Sequence, residues 1–358
     1  MRILITGNMG YIGPIVVKHL RQRFPGVHLV GCDMGYFATC LTGTIFFPEC
    51  LMDFQHFGDV RTIDSKMLNG MDAIVHLAAI SNDPMGKAFE KETYEINYQA
   101  SVRLAKIAKK QGVKSFVFAS SCSMYGFGGQ DSKTENSEFS PLTAYAKSKV
   151  MTERDLKDIA GDGFKVTSLR FSTACGMSDR LRLDLVLNDF VAGAVTSRKI
   201  QILSDGTPWR PLINVKDMAR AIEWALTREG EGDDEFLAVN VGSNEWNYQV
   251  KELAEAVADV IPGVDISINK NAEPDKRSYR VSFDLFRKLA PEHQPKYDLK
   301  TSIVELHDGL TQMKFEDKEF RNSNYMRLKV LNYLREQNVI DGNLQWSNKN
   351  IMTERPIN

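Results

Sequence analysis

The sequence is poor in almost everything that marks a specialised chain. Its five cysteines (Cys32, Cys40, Cys50, Cys122 and Cys175) are odd in number and form no CxxC pair. That argues against a secreted disulfide framework and for a reducing, cytoplasmic setting. An excess of either charge is missing too: 45 Lys plus Arg face 46 Asp plus Glu, a formal net charge of −1. The basic footprint of a nucleic-acid binder is therefore absent. No apolar run approaches the roughly 18 residues that suggest a membrane span. Met1–Thr6 enters a strand-like segment without a charged-then-apolar leader, so no signal peptide is expected. The six histidines never fall at metal-ligand spacing, and no metal site is expected. Twelve prolines and 25 glycines scattered over 358 residues exclude a collagenous or low-complexity chain. What remains, 43% hydrophobic and 25% charged, is a globular composition long enough for a large core.

The first half alternates short apolar runs with amphipathic stretches. Strands are predicted at Arg2–Thr6, Val27–Cys32, Asp72–Leu77, Ser115–Ser120 and Lys165–Arg170, and helices at Tyr11–Phe24, Ala88–Gln111 (closed by Gly112) and Ala144–Ala160. This alternation implies right-handed crossovers and a doubly wound α/β fold with a parallel sheet covered on both faces. Past residue 171 the pattern changes to helices at Asp184–Ala194 and Val215–Leu226, one strand at Glu235–Val241, then mostly helix, including Tyr325–Gln337. The expected division is a dinucleotide-binding domain over 1–171, re-entered at about 215–243. A smaller, mostly helical substrate domain would take 172–214 and 244–358.

Between the first strand and helix lies Thr6-Gly-Asn-Met-Gly-Tyr-Ile-Gly13, with glycines at 7, 10 and 13. Absent side chains let the backbone turn tightly and approach a pyrophosphate, which the helix N-terminus attracts. Asp33 follows Gly13 by 20 residues, at the end of the second strand. There a carboxylate can accept both ribose hydroxyls of an adenine nucleotide and repel a 2′-phosphate, favouring NAD over NADP.

Tyr145 and Lys149 stand four apart on a helix, hence on one face. A phenol of pKa ~10 brought to ~7 requires about 4 kcal/mol of differential stabilisation. A neighbouring ammonium and the cationic nicotinamide ring of NAD can supply it. The phenolate then takes a proton from a substrate hydroxyl as hydride leaves the same carbon. Ser121, at the carboxyl end of its strand, is the candidate hydroxyl to orient the substrate.

With these residues the chain resembles the extended short-chain dehydrogenase/reductases, specifically their nucleotide-sugar epimerases, dehydratases and reductases. The matching segments are TGNMGYIG (6–13), GDVR (58–61), HLAA (76–79), SSCSMYG (120–126), PLTAYAKSK (141–149), LRF (169–171) and WRPLINVKD (209–217), in family order. The resemblance implies that Tyr11 and Ile12 contact the pyrophosphate and Asp59 and Val60 the adenine. Leu77, Ala78 and Ala79 line the cofactor, Asn97 lies behind the tyrosine, and Ser121, Tyr145 and Lys149 are catalytic. Cys122 and Ser123 stand where the 4,6-dehydratases carry Asp and Glu, which disfavours dehydration, and Cys122 is expected to be a packing residue. Thr173 replaces a family Asn and Asn214 a family His. Substrate contacts are expected from Ser121, Ser123, Thr173, Arg182, Arg210 and Arg280, since guanidinium groups suit diphosphates. The resemblance thus implies an NAD-dependent nucleotide-sugar 4-epimerase. A 4-dehydrogenase or 4-keto reductase using the same residues is the alternative, and a non-catalytic NAD-binding scaffold a third reading. A homodimer pairing Ala88–Gln111 with Ala144–Ala160 is expected, with no nucleic-acid or membrane partner.

Overall fold

Short strands, most of them buried apolar runs of the sequence, build the centre of the molecule. The computed structural model describes residues 1–43, 45–127, 131–229, 235–269, 271–272 and 277–347. Its strands are β1 (Arg2–Thr6), β2 (His28–Asp33), β3 (Phe54–Phe57), β4 (Ala73–His76), β5 (Ser115–Ser121), β6 (Lys165–Phe171), β7 (Thr173–Cys175), β8 (Lys199–Ile202), β9 (Trp209–Asn214), β10 (Phe236–Val241), β11 (Asn247–Gln249) and β12 (Asp265–Ile268). Seven of them form one parallel sheet in the order β3-β2-β1-β4-β5-β6-β10. The order reverses between β1 and β4, the switch point at which doubly wound sheets hold ligands beyond the strands' carboxyl ends.

Side-chain alternation divides the core. Ile3 and Ile5 of β1 join one cluster with Val16 and Leu20 of the helix Gly13–Arg23 and Ile222 of Val215–Thr227. Leu4 faces the other side, with Leu104 of Ser101–Lys110 and Leu156 of Ala144–Ile159. Both faces are thus covered, as a parallel sheet requires. The first helix starts at Gly13 rather than Tyr11, with Pro14 in its first turn, where a missing N–H costs nothing. The single helix expected over 88–111 is instead Glu90–Thr93, a wider π turn over Tyr94–Ala100, and Ser101–Lys110. It closes at Gly112, whose φ of +77° suits glycine.

Beyond β6, β11-β9-β7 form a small sheet and β8 pairs with β12. The helices Val186–Ser197, Val250–Val260 and Leu299–Gln312 pack on one another and extend the first core. The final stretch behaves differently. Leu331 of the helix Arg327–Glu336, with Ile340 and Leu344, packs into the core on the Leu4 side of the sheet, in one cluster with Ile74, Met85 and Phe89. Among the hydrogen bonds that anchor it, Tyr36 Oη donates to the Leu344 carbonyl, and Trp346 Nε1 donates to the Met34 carbonyl at 2.8 Å. Among the described residues no helix is long and apolar enough to cross a membrane.

Candidate active site

The turn after β1 is shaped by what its glycines lack. A Cβ on Gly7, where φ is +74°, would lie 2.6 Å from the Ala78 amide nitrogen, and one on Gly13 would lie 2.0 Å from the Asn8 carbonyl oxygen. Gly7 N–H donates to the Cys32 carbonyl at 2.9 Å, tying the turn to the end of β2. There the Asp33 carboxylate accepts the Met9 amide at 3.0 Å and the Gly35 amide at 2.7 Å. Burial raises Asp33 above the usual carboxylate range, and these two amides oppose the rise. Each oxygen keeps a further lone pair for a ribose hydroxyl. Asp59 accepts the Arg61 amide at 2.7 Å and its guanidinium, with buried Val60 beside it. A turn that excludes side chains, followed by an acidic corner, fits a dinucleotide's pyrophosphate and ribose.

Helix Ala144–Ile159 is capped by Thr143 Oγ1, which accepts the Ala146 amide at 3.2 Å. Tyr145 and Lys149 project from its first turns beside Ser121, the last residue of β5. Lys149 is 3% exposed; its Nζ donates to the Ala119 carbonyl at 2.6 Å, 4.6 Å from the Phe118 ring centre and 5.7 Å from that of Tyr145. Burial pushes the ammonium down to about 7, against the pull of Glu153. Burial also pushes Tyr145 up to about 12, with the Ser121 hydroxyl's hydrogen bond working the other way. The lowered phenol expected from the sequence is therefore not a property of the protein alone. A nearby positive charge, such as the nicotinamide ring of NAD carries, would lower it.

Asn97 sits behind the helix, within the π turn. Its Oδ1 accepts the Ile80 amide at 2.8 Å, and its Nδ2 donates to the Ile80 carbonyl at 2.9 Å and to Ser148 Oγ at 3.2 Å. It clamps the segment after β4 to the tyrosine helix. Cys122 is buried, donates to the Arg170 carbonyl at 3.0 Å, and is pushed far above the ordinary thiol range by burial.

All the sequence-predicted site residues except Gly13, Asn97 and Arg280 line one cleft of about 930 Å³. Arg280 corrects its expectation: it lies over the Trp209 ring, 5.3 Å from the ring centre. Arg277 and Tyr279 line the cleft in its place, because alternation along an extended stretch turns residue 280 the other way. Arg182 is buried and paired with Asp184 at 2.8 Å and Ser81 at 2.9 Å, and Thr173 opens β7 at the cleft wall. Asn214 lies outside the lining and caps the next helix through the Lys216 amide at 2.9 Å.

The sequence reading missed Asp83, which accepts Thr143 Oγ1 at 2.7 Å and Arg277 Nη1 at 3.2 Å, and Arg327 from the tail. Neither lies in a motif. The Ser120 and Ser123 hydroxyls at the cleft are buried without partners, as groups awaiting a polar ligand would be.

Comparison with known proteins agrees with this geometry. The model of the NAD dependent epimerase/dehydratase family matches residues 3–242. A UDP-glucose 4-epimerase of Lactobacillus helveticus is 29% identical over 296 residues, 77% of this chain and 87% of its own. UDP-glucuronic acid decarboxylase 6 of Arabidopsis thaliana is 25% identical over 322 residues, 88% of each chain. Among solved structures, MoeE5 in complex with UDP-glucuronic acid and NAD superposes with a TM-score of 0.74 at 22% identity, covering 87% of this chain and 99% of that one. With its glycine turn, switch-point cleft and matched segments, the chain belongs to the NAD-dependent epimerase/dehydratase enzymes of the extended short-chain dehydrogenase/reductase family.

Proposed function

We propose that the protein is an NAD-dependent nucleotide-sugar 4-epimerase. The observation that carries this reading is the convergence of Ser121, Tyr145 and Lys149 in the cleft that also holds the glycine turn. NAD, when bound, supplies a hydride acceptor and later a hydride donor at C4 of the sugar. Tyr145 Oη takes the proton of the C4 hydroxyl and afterwards returns it, while Ser121 Oγ holds the same oxygen in line. Lys149 Nζ, 5.7 Å from the Tyr145 ring centre, supplies a hydrogen-bond donor for the nicotinamide ribose. Gly7 and Gly10 with the amides of the first helical turn hold the pyrophosphate, and Asp33 the adenosine ribose. Leu77, Ala78 and Ala79 pack on the cofactor, and Asp59 and Val60 flank the adenine. Arg182, Arg210, Ser123 and Thr173 face the nucleotide sugar.

Dehydration is disfavoured because Cys122 is locked to a carbonyl and Ser123 is too weak an acid to expel water. Asp83, the carboxylate near Tyr145, is occupied by Thr143 and Arg277. The relative from Lactobacillus helveticus, named a UDP-glucose 4-epimerase, supports the same reading.

The test is to purify the protein, assay its bound nicotinamide, and supply UDP-, GDP-, TDP- and CDP-sugars. Isomer formation without net reduced cofactor is expected. An accumulating ketone with stoichiometric reduced NAD would instead make it a 4-dehydrogenase. We further propose a cytoplasmic homodimer joined through Ser101–Lys110 and Ala144–Ile159, adjacent helices on one face of the sheet. Sedimentation at twice the monomer mass is expected, and a persistent monomer would reject the pairing.

A further inference from the structure

We infer that Arg327 is a ligand for the diphosphate of the dinucleotide, delivered by the C-terminal segment and not by the nucleotide-binding fold. The inference rests on the dinucleotide site proposed above. Arg327 lines the cleft, yet its side chain is only 1% exposed. Its Nη2 donates to the Arg180 carbonyl at 2.8 Å, and its guanidinium carbon stands 4.5 Å from the centre of the Phe37 ring. Its Nη1 is buried and has no acceptor. No carboxylate forms an ion pair with it among the described residues. The neighbouring carboxylates are engaged elsewhere: Glu49 pairs with Arg180 at 2.7 Å and Asp184 with Arg182 at 2.8 Å. The adjacent Cys40 thiol, raised by burial against the pull of the Arg327 guanidinium and its hydrogen bond, is the side chain that meets Arg327 there, a weak sulfur partner and not a carboxylate.

A buried cation without a counter-ion is costly, and a guanidinium with a free N–H fork suits a diphosphate oxygen. Arg327 also begins the helix Arg327–Glu336, whose positive end adds to the attraction.

Its position selects the dinucleotide over the nucleotide sugar as the source of that diphosphate. The Arg180 amide donates to Ser178 Oγ at 3.2 Å, and Ser178 Oγ donates to the Tyr11 carbonyl at 2.6 Å. Arg327 is thereby tied to the glycine turn at one side and, through Phe37, to the loop that follows Asp33 at the other. The tail is held in that place by more than the helix. Gln345 Nε2 donates to the Asp59 carboxylate, the Asn343 carbonyl accepts Arg61 Nη2 at 2.8 Å, and Trp346 packs on Tyr36 with ring centres 5.4 Å apart. The tail that carries Arg327 thus touches Asp59 directly, through Gln345, and the residue after Asp33, through the bond from Trp346 Nε1 to the Met34 carbonyl.

The test uses the full chain stripped of nucleotide and titrated calorimetrically with NAD, ADP-ribose, adenosine and UDP. Arg327→Met should weaken NAD and ADP-ribose about tenfold to hundredfold, the range for losing a charge-assisted hydrogen bond. Adenosine and UDP, which lack that diphosphate at that place, should change by less than about twofold. Unchanged NAD affinity overturns the proposal. So does a loss confined to UDP, which would move Arg327 to the sugar nucleotide, or an equal loss for adenosine, which would make its role structural. If Arg327→Met does not fold, Arg327→Lys decides. A point charge without the fork should weaken NAD severalfold and spare adenosine, whereas equal effects on both reject the assignment. Because no readout here involves turnover, failure would leave the proposed epimerase chemistry untouched.

Discussion

Tyr145 is the proton carrier of the proposed reaction, so Tyr145→Phe should cut kcat at least about a hundredfold while leaving NAD affinity nearly unchanged. Steady-state turnover and a binding titration check both halves; a variant retaining most of its activity would remove the phenol from the chemistry. Lys149 makes a separate prediction about pH. Its folded value of about 7 lies below the ordinary 10.5, so between the two the unfolded chain binds more protons and stability rises with pH. Melting temperature of the nucleotide-free protein should therefore climb more steeply from pH 7 to about 9 in the parent than in Lys149→Met. Parallel curves would mean that the ammonium is solvated. The identity of both residues was readable from a four-residue spacing on a helix. Their ionisation was not, because it depends on burial beneath Phe118 and against the Ala119 carbonyl, contacts made by a strand more than twenty residues away in the chain.

The glycine turn and the π turn are where local elements meet the site. Gly13→Ala would force a Cβ to within 2.0 Å of the Asn8 carbonyl oxygen. The turn must then open, so the substitution should destabilise the fold by about 1–3 kcal/mol, measured by denaturant unfolding, and weaken NAD binding with it. Asn97→Ala removes three hydrogen bonds and leaves the Ile80 amide and carbonyl without those partners, so a loss of about 1–3 kcal/mol is expected, again by denaturant titration. Stability equal to the parent would show that the segment after β4 finds other partners. The strands of the large sheet were legible because they are short apolar runs between helix-like stretches. β3 was not. It is an edge strand whose Phe54 and Phe57 stay 59% and 66% exposed, so no burial pattern marks it. The π turn was equally hidden, since its residues suit an uninterrupted helix and its partners, Ile80 and Ser148 on Asn97 and Asp155 on Tyr98, are remote in sequence.

Across the whole molecule, the tail is the part that most changes the picture. Ending the chain after Gln337 removes buried Ile340 and Leu344, 2% and 0% exposed, and should lower stability by about 2–5 kcal/mol in a thermal or chemical melt. An unaltered melt would mean that this stretch merely rests on the surface. The sequence carried the doubly wound order, the glycine turn, the acidic corner and the Tyr145–Lys149 spacing on one helix face. Each of these is a local pattern, set by backbone freedom or helical periodicity within a few residues. It could not tell that residue 280 turns away while 277 turns inward, that Asp83 is held beside the tyrosine, or that Arg327 reaches the cofactor cleft from the far end of the chain. Those placements come from packing between segments remote in sequence, where side-chain direction and charge pairing are decided only once the core has closed.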